Sequence, residues 1–334
     1  VTAERASTEH RRPDPTTGAP RLRFLDTLRG FAIAGIVLVN IPDMTRLAPQ
    51  GGGVVRMVLD LAVQTRFVPI FEFLFGAGIW FVVCSARERG RSPWAVMLAR
   101  LAALWGVGML HALVYPGEVL ATYAVAGLLV LPVVLLAPRW LQLVLGAGMA
   151  LTVLALAGSS PAEAPGLMLL GAAAAGYGVP TLLDRSAGPV TVAFLVATAL
   201  CVPALAQQLA EPGDPRFTVA GGRAGFVMAV AYVSGLSLLW ATPARRMLAA
   251  VCESIGRMAL TCYITASLIA VPVGALAGFA GTSSPAPALV LGVALIAVQS
   301  LACRAWLRHF RYGPLEWAWR AVTWRNLPAM RVQP

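Results

Sequence analysis

Charge is scarce in this sequence, and lysine is missing from it altogether. Only 12% of its 334 residues are charged, against roughly 25% in a soluble globular chain. The sequence is 58% hydrophobic, with a mean hydropathy of +0.74. A water-soluble core of this size cannot bury that much apolar surface, so lipid must cover the excess. Cysteine is also sparse. Cys84, Cys201, Cys252, Cys262 and Cys303 contain no C-x-x-C pair and lie in or beside apolar runs. That excludes a disulfide framework and leaves them as small apolar fillers. The three histidines, His10, His111 and His309, do not have zinc-ligand spacing, and no metal site is expected. The chain has neither a Walker loop nor a Gly-x-Ser-x-Gly elbow.

What is present is arginine, which supplies all 26 basic residues and a net charge of +11. With the abundant Ala, Gly and Val, the bias points to a high-GC bacterial genome. A strongly basic soluble chain would suggest a nucleic-acid partner. Here the arginines stand between apolar runs, where the positive-inside rule needs them, so the expected partner is the bilayer and not nucleic acid.

A spanning helix needs about 20 mostly apolar residues. The runs 28–42, 67–85, 94–115, 119–137, 140–158, 166–183, 190–209, 224–241, 255–279 and 286–306 meet or approach that length. The first is expected to begin nearer Arg23. It is followed by no small-residue cleavage site, so it reads as an uncleaved span. The prediction is an all-α polytopic transmembrane bundle of about ten spans with both termini cytoplasmic. A polar tail, 1–22, precedes the bundle, 23–309, and an interfacial tail, 310–334, follows it. In that orientation Arg87, Arg89, Arg91, Arg139, Arg185, Arg245, Arg246 and the arginines from Arg304 onward are cytoplasmic. The segment 43–66 fits worst, because it puts Arg46, Arg56 and Arg66 outside. Its part 54–66 is amphipathic and reads as lying along the outer surface. In the last tail, Trp317, Trp319 and Trp324 alternate with Glu316, Arg320 and Arg325, which suits a helix at the headgroup layer.

Ionisable groups inside hydrocarbon are expensive, so each is a candidate site residue. Asp26 and Arg29 open the first span three apart, on one helical face, and can form a structural pair. Arg29 can alternatively hold a phosphate-bearing ligand, since its planar fork suits phosphate. Arg257 opens a later span and reads either as a second phosphate ligand or as an arginine snorkelling to the headgroups. Asn40 sits at the outer end of the first span. Glu72 lies among phenylalanines in Phe71-Glu72-Phe73, where a carboxylate must be protonated, paired or facing a polar cavity. His111 is the one histidine inside the apolar region and is the candidate general base. Glu118 or Glu72 could fix its tautomer.

Four segments in this order resemble the YeiB-like family of bacterial inner-membrane proteins. They are Leu25-Asp26-x-Leu28-Arg29-Gly30-Phe31 with Val39-Asn40-Ile41; Phe73-Leu74-Phe75-Gly76-x-Gly78; Leu110-His111 leading to Gly117-Glu118-Val119-Leu120-x-x-Tyr123-Ala124; and Gly256-Arg257-Met258-Ala259-Leu260-Thr261-x-Tyr263 with Gly313-Pro314-Leu315-Glu316-Trp317-x-Trp319-Arg320. Where Glu118 stands, the family usually has Asp. The opening motif is also similar to that of the heparan-alpha-glucosaminide N-acetyltransferases, which share an Asn at the place of Asn40. Membrane acyltransferases that decorate bacterial polysaccharides have a catalytic His at that place. The resemblance implies a bacterial inner-membrane acyltransferase. It would use cytoplasmic acyl-CoA as co-substrate, with no tightly bound cofactor, and a small-molecule or glycan hydroxyl or amine as acceptor. Arg29 and Arg257 would hold the CoA phosphates, and His111 would act as base, aided by Glu118 or Glu72. Asn40 or Tyr123 would donate to the oxyanion. A proton-coupled transporter using Glu72 and His111, or a scaffold without chemistry, are the alternatives.

Overall fold

The structure, a computed structural model, describes residues 22–47, 53–185 and 188–332. The expected polar tail thus lies outside the described residues, except for Leu22. The helices are α1 (Arg23–Met44), α2 (Val54–Ala62), α3 (Phe67–Glu88), α4 (Pro93–Ala112), α5 (Leu120–Leu136), α6 (Arg139–Leu156), α7 (Ala164–Gly176) and α8 (Val179–Arg185). They continue with α9 (Gly188–Ala210), α10 (Val219–Trp240), α11 (Arg245–Leu248), α12 (Ser254–Arg257), α13 (Ala259–Leu276), α14 (Ala286–His309) and α15 (Pro314–Trp324). Among the described residues there is no strand, only a single bridge between Phe310 and Arg331.

Among the described residues, eight helices, counting α2 and α3 as one segment, are long and apolar enough to cross a membrane. The pair α7–α8, bent by 73°, adds a ninth only if it is taken as one broken span, and the apolar α5 is shorter, at 17 residues, so the count among the described residues falls below the ten expected. The protein is therefore an all-α polytopic membrane bundle. Local chemistry sets its boundaries. The Ser92 hydroxyl accepts from the Ala95 amide and Pro93 opens α4, while Thr218 accepts from Gly221 to cap α10. At the α7–α8 bend, Gly178 takes a left-handed φ of +80°, which a side chain would oppose. The run expected as one span over 255–279 is instead broken at Met258, between α12 and α13.

The helix α1 lies at the centre, against α3, α12, α13 and α14. Small residues let the backbones meet: Gly76 of α3 touches Met168 of α7, and Gly171 of α7 touches Phe73. By contrast α6 and α9 turn Leu143, Leu151, Leu195 and Val202 outward, as helices facing lipid do. The alternation of the helices gathers Arg23, Glu88, Arg139 and Arg311 at one end, called here the arginine-rich end. The loops 113–119, 157–163, 211–218 and 277–285 form the opposite end. At the arginine-rich end α15 packs on α4 and α13. The Trp319 indole donates to the Arg100 carbonyl at 2.8 Å, and Trp324 is buried beside Ala86 and Val96.

Of the three arginines that fitted the orientation worst, Arg46 is exposed, while Arg56 and Arg66 are held by partners within the bundle. Arg66 is fully buried and does not face solvent. It donates to the Gln64 carbonyl at 2.5 Å, the Thr65 hydroxyl at 2.8 Å and Gln208 Oε1 at 2.6 Å. Arg56 pairs with Asp60 at 2.8 Å and Asp214 at 3.1 Å, and Arg216 pairs with Asp214 at 2.8 Å and Asp43 at 2.7 Å. Arg56 and Arg216 are thus paired with carboxylates, while Arg66 is held by neutral oxygens.

Candidate functional site

A cavity of about 1820 Å³ runs along the bundle. That exceeds the roughly 300–1,000 Å³ of an ordinary small-molecule site, so it has room for a large ligand or for two. At the arginine-rich end, Arg23, Arg29, Arg100 and Arg257 line its walls, joined by Arg308, Arg311 and Arg320. Four carboxylates share that mouth: Asp26, Glu88, Glu253 and Glu316. The surplus of three positive charges is suited to a polyanion. Some of the charges hold one another in place. Arg23 pairs with Glu253 at 2.7 Å and Arg29 with Asp26 at 3.2 Å. The Arg100 guanidinium lies 3.6 Å from the centre of the Trp319 ring, and Arg257 donates to the Arg311 carbonyl at 3.3 Å. Glu316 accepts from the Thr261 amide at 2.9 Å and hydroxyl at 2.6 Å, tying α15 to the break before α13. Burial nevertheless pushes its carboxyl above the usual glutamate range.

Deeper in the cavity stand Glu72, Tyr123 and Glu163. Glu72 is 1% exposed, and its Oε2 has no hydrogen-bond partner among the described residues. Phe71 and Phe75 flank the Tyr123 ring at 5.8 and 6.2 Å. Glu163 ends the 3-10 turn Pro161–Glu163 and accepts from the Ser159 hydroxyl at 3.3 Å. Two carboxylates lining one cavity repel each other when both are charged. Asn40 also lines the cavity, eleven residues and roughly 16 Å further along α1 than Arg29.

His111 and Glu118 lie elsewhere. Neither is among the residues that line this cavity. His111 Nε2 meets the Ser267 hydroxyl at 2.5 Å, and its Nδ1 has no partner among the described residues. Tyr263, which does line the cavity, stands edge-on to the imidazole with ring centres 5.3 Å apart. The expected carboxylate partner for His111 is thus replaced by a serine. Glu118 is occupied with capping α5, accepting from the Leu120 amide and, at 3.2 Å, from the Ala121 amide. A helix start leaves such amides without partners, and a carboxylate two residues upstream satisfies them. Burial raises the Glu118 carboxyl above its ordinary value, opposed by these amide bonds.

Three participants were missed in the sequence. Glu163 read as a loop charge, although a carboxylate directly before an apolar run was a usable sign. Nothing local in the sequence marks Arg100 or Ser267. Only their long-range partners distinguish them.

A membrane-spanning helix bundle that encloses a long cavity with an arginine-lined mouth is the class these features define. The chain belongs to the YeiB-like family. The profile of the family described as "Protein of unknown function (DUF418)" matches residues 174–326. The chain is 30% identical to "Uncharacterized 39.9 kDa protein in amylase 3'region" of Bacillus acidopullulyticus, over 95% of this chain and 98% of that one. It is 27% identical to "Uncharacterized protein YxaH" of Bacillus subtilis (strain 168), over 93% and 96% of the two chains. It is also 27% identical to "Uncharacterized protein YeiB" of Escherichia coli (strain K12), over 90% and 96%.

Proposed function

We propose that this protein is an acyltransferase of the bacterial cytoplasmic membrane, moving an acyl group from acyl-CoA to a hydroxyl or amine. The observation that carries the reading is the single cavity, with seven arginines at one end and Glu72, Tyr123 and Glu163 within it. The arginine-rich end faces the cytoplasm in this reading, as the positive-inside rule asks. Arg29 and Arg257 take the diphosphate and phosphomonoester of CoA, for which planar guanidinium forks are suited. The pantetheine arm runs along α1 toward Asn40. The role of base passes from His111 to Glu72, which lines the cavity and has a carboxylate oxygen without a hydrogen-bond partner among the described residues.

The acceptor heteroatom bonds to the thioester carbonyl carbon while Glu72 takes its proton. Tyr123 or Asn40 donates to the oxyanion of the tetrahedral intermediate. The carbon–sulfur bond then breaks, and the leaving thiolate takes the proton from Glu72. The products are acylated acceptor and free CoA thiol. Release of CoA thiol by purified protein in the presence of acetyl-CoA and an acceptor extract tests the reaction. Release that stops in Glu72→Gln supports it, and release that continues unchanged in that variant removes Glu72 from the chemistry.

A second reading is a proton-coupled transporter, favoured by one observation: residues from both ends of the bundle, Arg311 and Arg216, line the same cavity. Flux of a metabolite into vesicles that follows a proton gradient and needs no acyl donor would favour it.

A further inference from the structure

A second hollow, about 410 Å³, opens on the outside of the bundle at the arginine-rich end, away from the cavity above. It lies where α3 ends and α6 begins, and its charged lining residues are Arg87 and Arg139. Neither arginine forms an ion pair with a carboxylate among the described residues. Arg87 donates to the Leu135 carbonyl at 3.2 Å, and Arg139 lies 5.1 Å from the centre of the Trp80 ring. Trp140 and Tyr177, both exposed, stand at the rim, and Trp80 and Leu135, both partly exposed, line the wall of the hollow beside them. Trp80 is seven residues back from Arg87, so the wall extends roughly 10 Å toward the middle of the span.

Gln142 lines the same hollow and is only 1% exposed. Its amide nitrogen donates to the carbonyls of Ala137 at 3.0 Å and Val134 at 3.3 Å. Its Oε1, also buried, has no hydrogen-bond partner among the described residues. A buried acceptor without a donor costs free energy until a ligand supplies one.

We propose that this hollow is a binding site for an anionic phospholipid whose headgroup carries a hydroxyl. The phosphate sits between the Arg87 and Arg139 guanidiniums, beside the N-terminus of α6, whose dipole also favours an anion. A headgroup hydroxyl donates to Gln142 Oε1. The acyl chains run along Trp80 and Leu135, and the exposed Trp140 and Tyr177 lie at headgroup depth. A free phosphate would satisfy the arginines and leave both the apolar wall and Gln142 unused, so a lipid is the favoured source.

The test uses the full-length protein in a neutral detergent and titrates four probes, read by native mass spectrometry or quenching of tryptophan fluorescence. Phosphatidylglycerol supplies charge and hydroxyls. Phosphatidylmethanol supplies the same charge without hydroxyls. Phosphatidylcholine is neutral overall, and glycerol 1-phosphate has no chains. Phosphatidylglycerol should bind about fivefold more tightly than phosphatidylmethanol and more tightly still than phosphatidylcholine. Glycerol 1-phosphate should not displace it. The double variant Arg87→Gln, Arg139→Gln should lose about thirtyfold in phosphatidylglycerol affinity. Equal binding of phosphatidylglycerol and phosphatidylmethanol, full displacement by glycerol 1-phosphate, or undiminished binding in the double variant would each overturn the site. The lipid series on the unmodified protein decides the matter even if the double variant does not fold.

Discussion

The Tyr263 ring stands edge-on to the His111 imidazole at 5.3 Å, and it is Tyr263 that lines the cavity. His111 is held behind it by the Ser267 hydroxyl. On this arrangement His111→Ala removes a buried hydrogen bond and an aromatic contact. It should cost about 1–3 kcal/mol of stability. Acyl transfer should persist at a temperature where the variant is folded. Thermal melting in detergent and thiol release, measured on the same preparation, check both halves.

Glu72 and Glu163 face one cavity from α3 and the start of α7, yet their settings differ. Glu72 has an oxygen with no partner, whereas Glu163 is held by Ser159. Glu72→Gln should therefore abolish turnover, with a loss of about a hundredfold or more for a missing general base, while donor binding is kept. Glu163→Gln should retain measurable turnover. Steady-state rates and donor affinity for the two variants separate the roles; equal losses in both would contradict the assignment.

The backbones of α1 and α12 meet at two glycines. A Cβ on Gly256 would run into the Asp26 carbonyl, and one on Gly30 into the Cys252 carbonyl. Neither obstacle is a side chain that could rotate away. Gly256→Ala should destabilise the bundle by about 1–3 kcal/mol and loosen the Asp26–Arg29 mouth. Gly148→Ala on α6, where the new Cβ meets nothing within 4 Å, is the control and should be neutral. Melting temperatures of the two variants test the contrast.

At the opposite end, Arg216 joins Asp214 and Asp43. Burial pushes the Asp214 carboxyl up, but the Arg216 hydrogen bonds and charge outweigh it and hold it below the ordinary aspartate value of 3.8. A carboxyl depressed in the folded state contributes stability that is present in full above its unfolded value and lost as the pH falls through its folded one. The difference in melting temperature between the unmodified protein and Asp214→Asn should therefore be constant near pH 7 and shrink below about pH 4. A difference that grows on acidification would contradict the pairing.

Most spans were legible because hydrocarbon demands long apolar runs, and little else satisfies 190–209. The break at Met258 was not, since its flanks are as apolar as a continuous helix. Arg29 and Glu72 were legible as charges with no cheap place in lipid, and the structure puts both on the cavity. His111 was singled out by the same logic, but a buried imidazole can also be satisfied by a hydroxyl 156 residues away in sequence, which no local pattern reveals. Glu163 shows the converse. Its position at a helix start explains it locally, so its approach to Glu72 becomes visible only once α7 is packed on α3.

The central claim is that the arginine-lined mouth receives the phosphates of an acyl-CoA. It is tested most directly by calorimetric titration of acetyl-CoA into the purified protein in detergent, beside Arg29→Ala. The account predicts saturable binding, weakened about tenfold or more in the variant, as expected for loss of a charge-assisted bond to phosphate. Absence of binding by acetyl-CoA and by longer acyl-CoAs, with a protein that melts cooperatively, would contradict it.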